Sequence, residues 1–425
     1  MSGLTYATTM APTRAAPITA WRLVLAGAGV FLLLVYSQAW VFPLMGEQAD
    51  TSQSGLIRAL YLPAYAAGFL LLAVAPGAAF LAVLRQPFLI VLLLLVAASY
   101  FWSIAPDQTV RRVFAAYCSA LGGVVLASRL KWSELAELAA CAMAILAVIA
   151  LLTALLLPSV GIMQSIFPGA WRGVWSEKNA LGGNMALAFA IFGAAAMLNP
   201  RRALLWWGFA AIALLLTLMS TSKTSLVALV LGLGTLIFVA ILRRGPVTRV
   251  VMVWLAIVAA GLGLGVALFA ADAVFDLLGK DATLTGRTKI WAAAMIQIEA
   301  QPWTGYGYGV VWDDLGPWAP LAAMVRDAGF TPQHAHNSWI EQWLGMGILG
   351  LAAFALLYAQ TAILTVVSLF RDSGAYLAAP FLIVYSLMTI TESIAMTYNE
   401  FRWVLFVAIA VKLVWPDHEV EARRI

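Results

Sequence analysis

His336-Asn337 ends a long polar stretch, and nine residues separate it from Gly347-Ile348-Leu349-Gly350 in an apolar segment. Imidazole is the one common side chain that takes up and releases a proton near neutral pH, and it is costly to place beside a bilayer. The chain has only 3 histidines, and two of them, His334 and His336, sit together. A neutral His336 can remove a proton from a hydroxyl. Arg172 and Arg287 are embedded in Gly- and Trp-containing polar segments, Gly169 to Asn179 and Thr285 to Trp291. A guanidinium fork pairs with two phosphate oxygens and can stabilise a departing diphosphate. A base with two such cations fits group transfer to a hydroxyl from an already activated donor, such as a lipid-linked diphosphate.

Other residues carry two readings each. Lys178 and Asn179 either bind the diphosphate or mark the membrane interface, where lysines snorkel. Glu392, Asn399, Glu400 and Arg402 either supply substrate contacts or are solvated loop charges. The run Ser220 to Ser225 reads as a helix cap, with a polar cavity as the alternative. Trp171, Trp175, Trp303, Trp312, Trp318 and Trp339 read as an interfacial belt, with stacking on sugars as the alternative. His334-Ala335-His336 could hold a metal, but no Cys or Glu at ligand spacing accompanies it and the nearest paired carboxylates are Asp313 and Asp314. The site therefore reads as metal-free. Gly305, Gly307 and Gly309 lack the spacing and context of a dinucleotide fingerprint and read as close backbone packing. No cofactor is expected.

These residues need elements to position them, and composition says which. Hydrophobic residues are 63% of the 425 positions and charged ones 11%, which excludes an ordinary soluble domain. The expected fold is an all-α polytopic membrane protein, a single integral membrane domain over 1–425. Apolar stretches near 21–42, 61–84, 87–104, 109–128, 135–157, 179–198, 203–220, 224–242, 249–271, 343–369, 375–393 and 398–416 predict twelve spans. With the N-terminus inside, every inner loop holds a Lys or Arg, among them Arg85, Lys131, Arg201, Arg243 and Arg371. The loop 272–337, between spans nine and ten, is then outside, in the periplasm of a Gram-negative cell. Within it a helix starts at Arg287 and ends before Pro302, with Ile290, Trp291, Ala294 and Ile298 forming a face along the membrane surface. The net charge of +5 is spread over loop ends, which speaks for topology and against nucleic acid. Cys118 and Cys141 fall inside spans and read as packing residues.

Taken together, the motifs resemble the O-antigen ligase and polysaccharide polymerase superfamily. His336-Asn337, nine residues, then Gly347-x-x-Gly350 is similar to that group's signature. Trp171-Arg172-Gly173 with Lys178-Asn179, and Gly286-Arg287 with Trp291, look like two more of its motifs. The resemblance implies a GT-C-like architecture and a multi-pass protein of the bacterial inner membrane with its site facing the periplasm. It implies metal-independent, inverting transfer from an undecaprenyl-diphosphate-linked oligosaccharide to a glycan or lipid A-core acceptor. It implies His336 as the base and Arg172 and Arg287 on the diphosphate, with other assembly and export proteins as possible partners. Glu177 departs from the pattern, since relatives often carry His before Lys-Asn. The Trp102 to Arg112 segment and Thr391-Glu392-Ser393 look more like exopolysaccharide polymerases of the succinoglycan type. That favours polymerisation of repeat units over ligation to lipid A-core. A flippase or transporter is the rival class, against which stand the lack of an internal repeat and the clustering of ionisable groups at one face.

Overall fold

The computed structural model describes residues 20–46, 55–269 and 286–423. Residues 272–285 of the long loop, including Lys280, lie outside these, as does Arg424. Among the described residues the regular structure is helical throughout, with one isolated bridge between Ile162 and Trp171.

In chain order the helices are α1 (Ala20–Tyr36), α2 (Val41–Met45), α3 (Gly55–Val74), α4 (Pro76–Leu84), α5 (Pro87–Ala98), α6 (Pro106–Arg129) and α7 (Trp132–Leu156). Then come α8 (Pro158–Gly161), α9 (Lys178–Leu198), α10 (Ala203–Met219), α11 (Lys223–Leu242) and α12 (Pro246–Phe269). The rest are α13 (Arg287–Ala300), α14 (Pro320–Ala328), α15 (Ser338–Arg371), α16 (Ala375–Thr391), α17 (Phe401–Val414) and α18 (Asp417–Ala422). Among the described residues eight helices are long and apolar enough to cross a bilayer, against the twelve spans expected; α4 with α5, bent by 96°, makes a ninth. The expected second span is cut where Pro76 opens a new helix after α3. Helices α1 and α16 are apolar but have only 17 residues each, and α17 has 14.

The helices differ sharply in burial although nearly all are apolar. Every residue of α9 from Leu181 to Ala196 is buried, because α7, α10, α11 and α16 surround it. Helix α17 is buried from Trp403 to Leu413. In α12 no residue of the span Pro246–Gly263 is buried, so it presents apolar side chains outward on all sides. Apolar periodicity could not separate these cases, because in a membrane the lipid-facing and the protein-facing surfaces are both apolar.

The bundle has two chemically different ends. At one, α18 ties the connecting loops together: Arg85 Nη2 meets Glu419 Oε1 at 2.8 Å, Lys131 pairs with Glu421, and the Trp132 N–H donates to Asp417 Oδ1 at 3.1 Å. Arg202 and Arg243 join the same end through Glu137 and the Asp372 carbonyl. The residues expected to face inward thus share one end. Helix α15 runs from Asn337 down to Arg371, which places His336 at the other.

At that far end the apolar face expected of the loop helix α13 is covered by protein. Ala293, Ala294 and Ile298 pack with Val311, Met324 and Leu344 into a small core of the loop's own, and Ile290 is buried as well. The apolar face was read correctly, but its partner is α14 and the first turns of α15. The tryptophan belt also divides. Trp303 and Trp318 are exposed, whereas Trp175, Trp312 and Trp339 are internal ties that donate to the Ser37 carbonyl, Glu341 Oε2 and Thr389 Oγ1. Nor does the expected serine cap form: Ser222 precedes α11 without capping it, and its hydroxyl accepts from Ser225 Oγ at 2.8 Å.

Candidate active site

The site begins with a break in α15. Gly347 has φ +64° and ψ −166°, a left-handed conformation that interrupts the helix and that glycine adopts without a steric penalty. A Cβ there would collide with the Trp303 carbonyl and the Thr304 nitrogen. Ile348 N–H, which an unbroken helix would direct to Leu344, donates to the Pro302 carbonyl at 2.8 Å. The Leu344 and Gly345 carbonyls accept instead from Tyr306 and Gly307, at 3.0 and 2.8 Å. Gly305, Gly307 and Gly309 all have positive φ, and this backbone interlock is the close packing their spacing suggested. A second tie holds the loop to α6: Arg112 makes two hydrogen bonds to Asp313, at 2.5 and 2.8 Å, and one to the Gly309 carbonyl.

Above the break, the first turns of α15 grip the chain after α16. Ser338 Oγ donates to the Glu392 carbonyl at 2.8 Å and accepts from the Ile394 and Ala395 N–H groups. Gln342 donates to the Ala395 carbonyl. Glu341 accepts from Trp312 Nε1, the Ala335 N–H and Ser393 Oγ, all within 2.8 Å. Asn337 is the N-cap, its Oδ1 accepting from the Trp339 and Ile340 N–H groups. The loop residues before α15 and the segment after α16 are thereby fixed against one another.

That clasp brings three of the sequence candidates together. His336, itself at φ +50°, places Nδ1 3.1 Å from Glu392 Oε2, while Glu392 Oε1 accepts from Arg287 Nη2 at 3.1 Å. Burial acts to raise the Glu392 carboxyl, but the hydrogen bond from His336 and the positive charge of Arg287 outweigh it and hold the group below the usual range. An ionised carboxylate only accepts, so the shared hydrogen is on His336 Nδ1. His334 lies against His336 with ring centroids 3.9 Å apart and the ring planes tilted by 54°, and its Nδ1 accepts the His336 N–H at 3.2 Å. Burial first, then the neighbouring His336, Arg287 and Arg402, push His334 down to about 4, so it is neutral at physiological pH. Arg402 lies nearby and is held in two hydrogen bonds by Glu400, at 2.8 and 2.9 Å.

The remaining candidates form a separate group. Arg172 is buried in the turn before α9, its Nε donating to the Val160 carbonyl at 2.8 Å and its guanidinium lying 4.4 Å from the Phe42 ring centroid. Lys178 opens α9, with Nζ 3.3 Å from Thr221 Oγ1 and 3.9 Å from the Phe167 ring centroid. Asn179 follows in the same turn, and Glu177 just before is exposed. Sequence reasoning missed Arg112 and Glu341, although each is an ionisable residue at the end of an apolar helix, which is itself a signal.

Residues 208–355 match the family model described as O-antigen ligase. That segment carries Arg287, His336 and Gly347, and leaves Arg172, Lys178, Glu392 and Arg402 outside it. The chain is also 31% identical over 193 residues to the exopolysaccharide production protein ExoQ of Rhizobium meliloti (strain 1021). This alignment spans 42% of the chain and 43% of that relative's length. A helical bundle with apolar spans thus carries, over residues 208–355, a likeness to the O-antigen ligase family, and the chain spans less than half the length of the curated relative it matches.

Proposed function

We propose that the protein is an inverting glycosyltransferase of the inner membrane that faces the periplasm. The donor is an undecaprenyl-diphosphate-linked oligosaccharide, and the reaction joins lipid-linked repeat units into exopolysaccharide without a metal. The observation that carries this reading is the pairing of His336 with Glu392 beside Arg287 at the end of the bundle opposite the basic loops. His336 Nε2 takes the proton of the acceptor hydroxyl as its oxygen attacks the anomeric carbon from the face opposite the diphosphate. The bond to the diphosphate breaks, and that group leaves with its negative charge. Glu392 supports the imidazolium that forms and fixes the ring. Arg287 has five N–H donors, one of them on Glu392, so others remain for phosphate oxygens. Arg172 and Lys178 are proposed to hold the diphosphate from the second group, with Asn179, Asn337 and Arg402 contributing polar contacts around the sugars. All twelve apolar segments are taken as crossings, the shorter ones included.

Ligation to lipid A-core is the second reading, favoured by the description of the family segment. Purified protein given lipid-linked glycan alone, with no nucleotide sugar or added metal, distinguishes the two. A ladder of longer lipid-linked products is expected. Product formed only when lipid A-core is added would make the protein a ligase, and no product with either acceptor would remove the glycosyltransferase reading.

A further inference from the structure

His334, His336 and Glu392 each offer a ligand atom, and these three atoms lie within 4.8 Å of one another. The carboxylate that no sequence spacing supplied comes from the far end of α16, carried in by the Ser338 clasp. All three side chains are part-exposed, so a metal ion could enter and water could complete its shell. Two imidazoles and one carboxylate suit zinc, with donors about 3.4 Å apart in a tetrahedral shell, and suit magnesium or calcium poorly. His336 and Glu392 are already at 3.1 Å, so His334 is the side chain that must swing inward. The positive charge of Arg287 on the other carboxylate oxygen opposes the ion and sets a limit to its affinity.

We propose that His334, His336 and Glu392 form a reversible zinc site and that a bound zinc ion silences transfer. The metal takes the place of the hydrogen shared by His336 and Glu392 at Nδ1, and that hydrogen passes through solvent to Nε2, so the ring stays neutral. Nε2 is then an N–H and can no longer take the proton of an acceptor hydroxyl, while the carboxylate is committed to the metal. The inhibitory part rests on the glycosyltransferase reading; the binding part does not.

The test is titration of the purified, full-length protein in detergent with zinc chloride, measured by calorimetry without substrate. The wild type is expected to bind one zinc at micromolar concentration. His334→Asn, whose side-chain oxygen can still accept the His336 N–H, is expected to weaken binding tenfold or more. His418→Asn, altering the exposed third histidine in α18, is expected to bind as the wild type does. Equal binding by wild type and His334→Asn, or no binding by the wild type, would overturn the site. In the transfer assay, zinc should inhibit the wild type and a chelator restore it, while whatever transfer His334→Asn retains no longer responds. Zinc bound at these residues with transfer unchanged would overturn the inhibition. Absence of transfer by metal-free wild type is a failure of the glycosyltransferase reading alone.

Discussion

Two oxygens of one carboxylate serve two partners at the centre of the site. From sequence Glu392 reads as a substrate contact or a solvated loop charge, because a charged residue in a loop after an apolar span gives no sign of which side chain it will meet. His336 and Glu392 are 56 residues apart and Arg287 and Glu392 are 105 apart. The individual residues were therefore legible and their pairing was not. The pairing makes a sharper prediction than the base alone. His336→Ala should abolish transfer while leaving abundance in the membrane near that of the wild type. Glu392→Gln keeps the size of the side chain and loses the charge that supports the imidazolium, so transfer should fall about 10²-fold or more, mainly in kcat. Single-turnover rates would separate that from a binding defect, and near-normal rates in Glu392→Gln would remove the orienting role.

Among the elements, α15 and the loop before it hold most of the site's order. The sequence showed the glycines, the apolar face of α13 and the polar residues of Asn337 to Gln342. It did not show that the helix breaks at Gly347, because four small or apolar residues in a long apolar run are equally compatible with a continuous helix. Gly347→Ala places a side chain at positive φ against the Trp303 carbonyl, and should destabilise the protein by about 1–3 kcal/mol or more. Asn337→Ala removes the cap alone and should cost about 1 kcal/mol. Thermal unfolding in detergent would rank the two, and an Asn337→Ala loss exceeding that of Gly347→Ala would contradict the interlock. The buried pair of Arg112 and Asp313 predicts a different pattern. Asp313→Asn leaves a buried guanidinium without its countercharge and should cost about 3–5 kcal/mol, whereas replacing both partners by apolar residues should recover part of that loss.

At the scale of the whole molecule, the twelve apolar segments were visible and the number of full-length helices was not, since hydropathy averages across a bend such as that between α4 and α5. The clustering of Arg85, Lys131, Arg202 and Arg243 at one end supports the orientation proposed from basic residues. Cysteines placed at exposed Asp314 and exposed Arg201 test it. In intact spheroplasts an impermeant thiol reagent should label Asp314→Cys and spare Arg201→Cys; the reverse pattern would turn the protein over in the membrane and move the reaction to the cytoplasmic side.

The interlock at Gly347 also decides how this protein can be re-engineered. Backbone groups of residues 302–307 complete the hydrogen bonding of residues 344–348, and each set would be left unsatisfied at the membrane edge without the other. The loop is consequently no detachable cap that could be exchanged with a relative's to change acceptor preference. A working chimera has to carry the loop and the upper part of α15 as one cassette, with the Ser338 contacts to residues 392–395 matched on the recipient side.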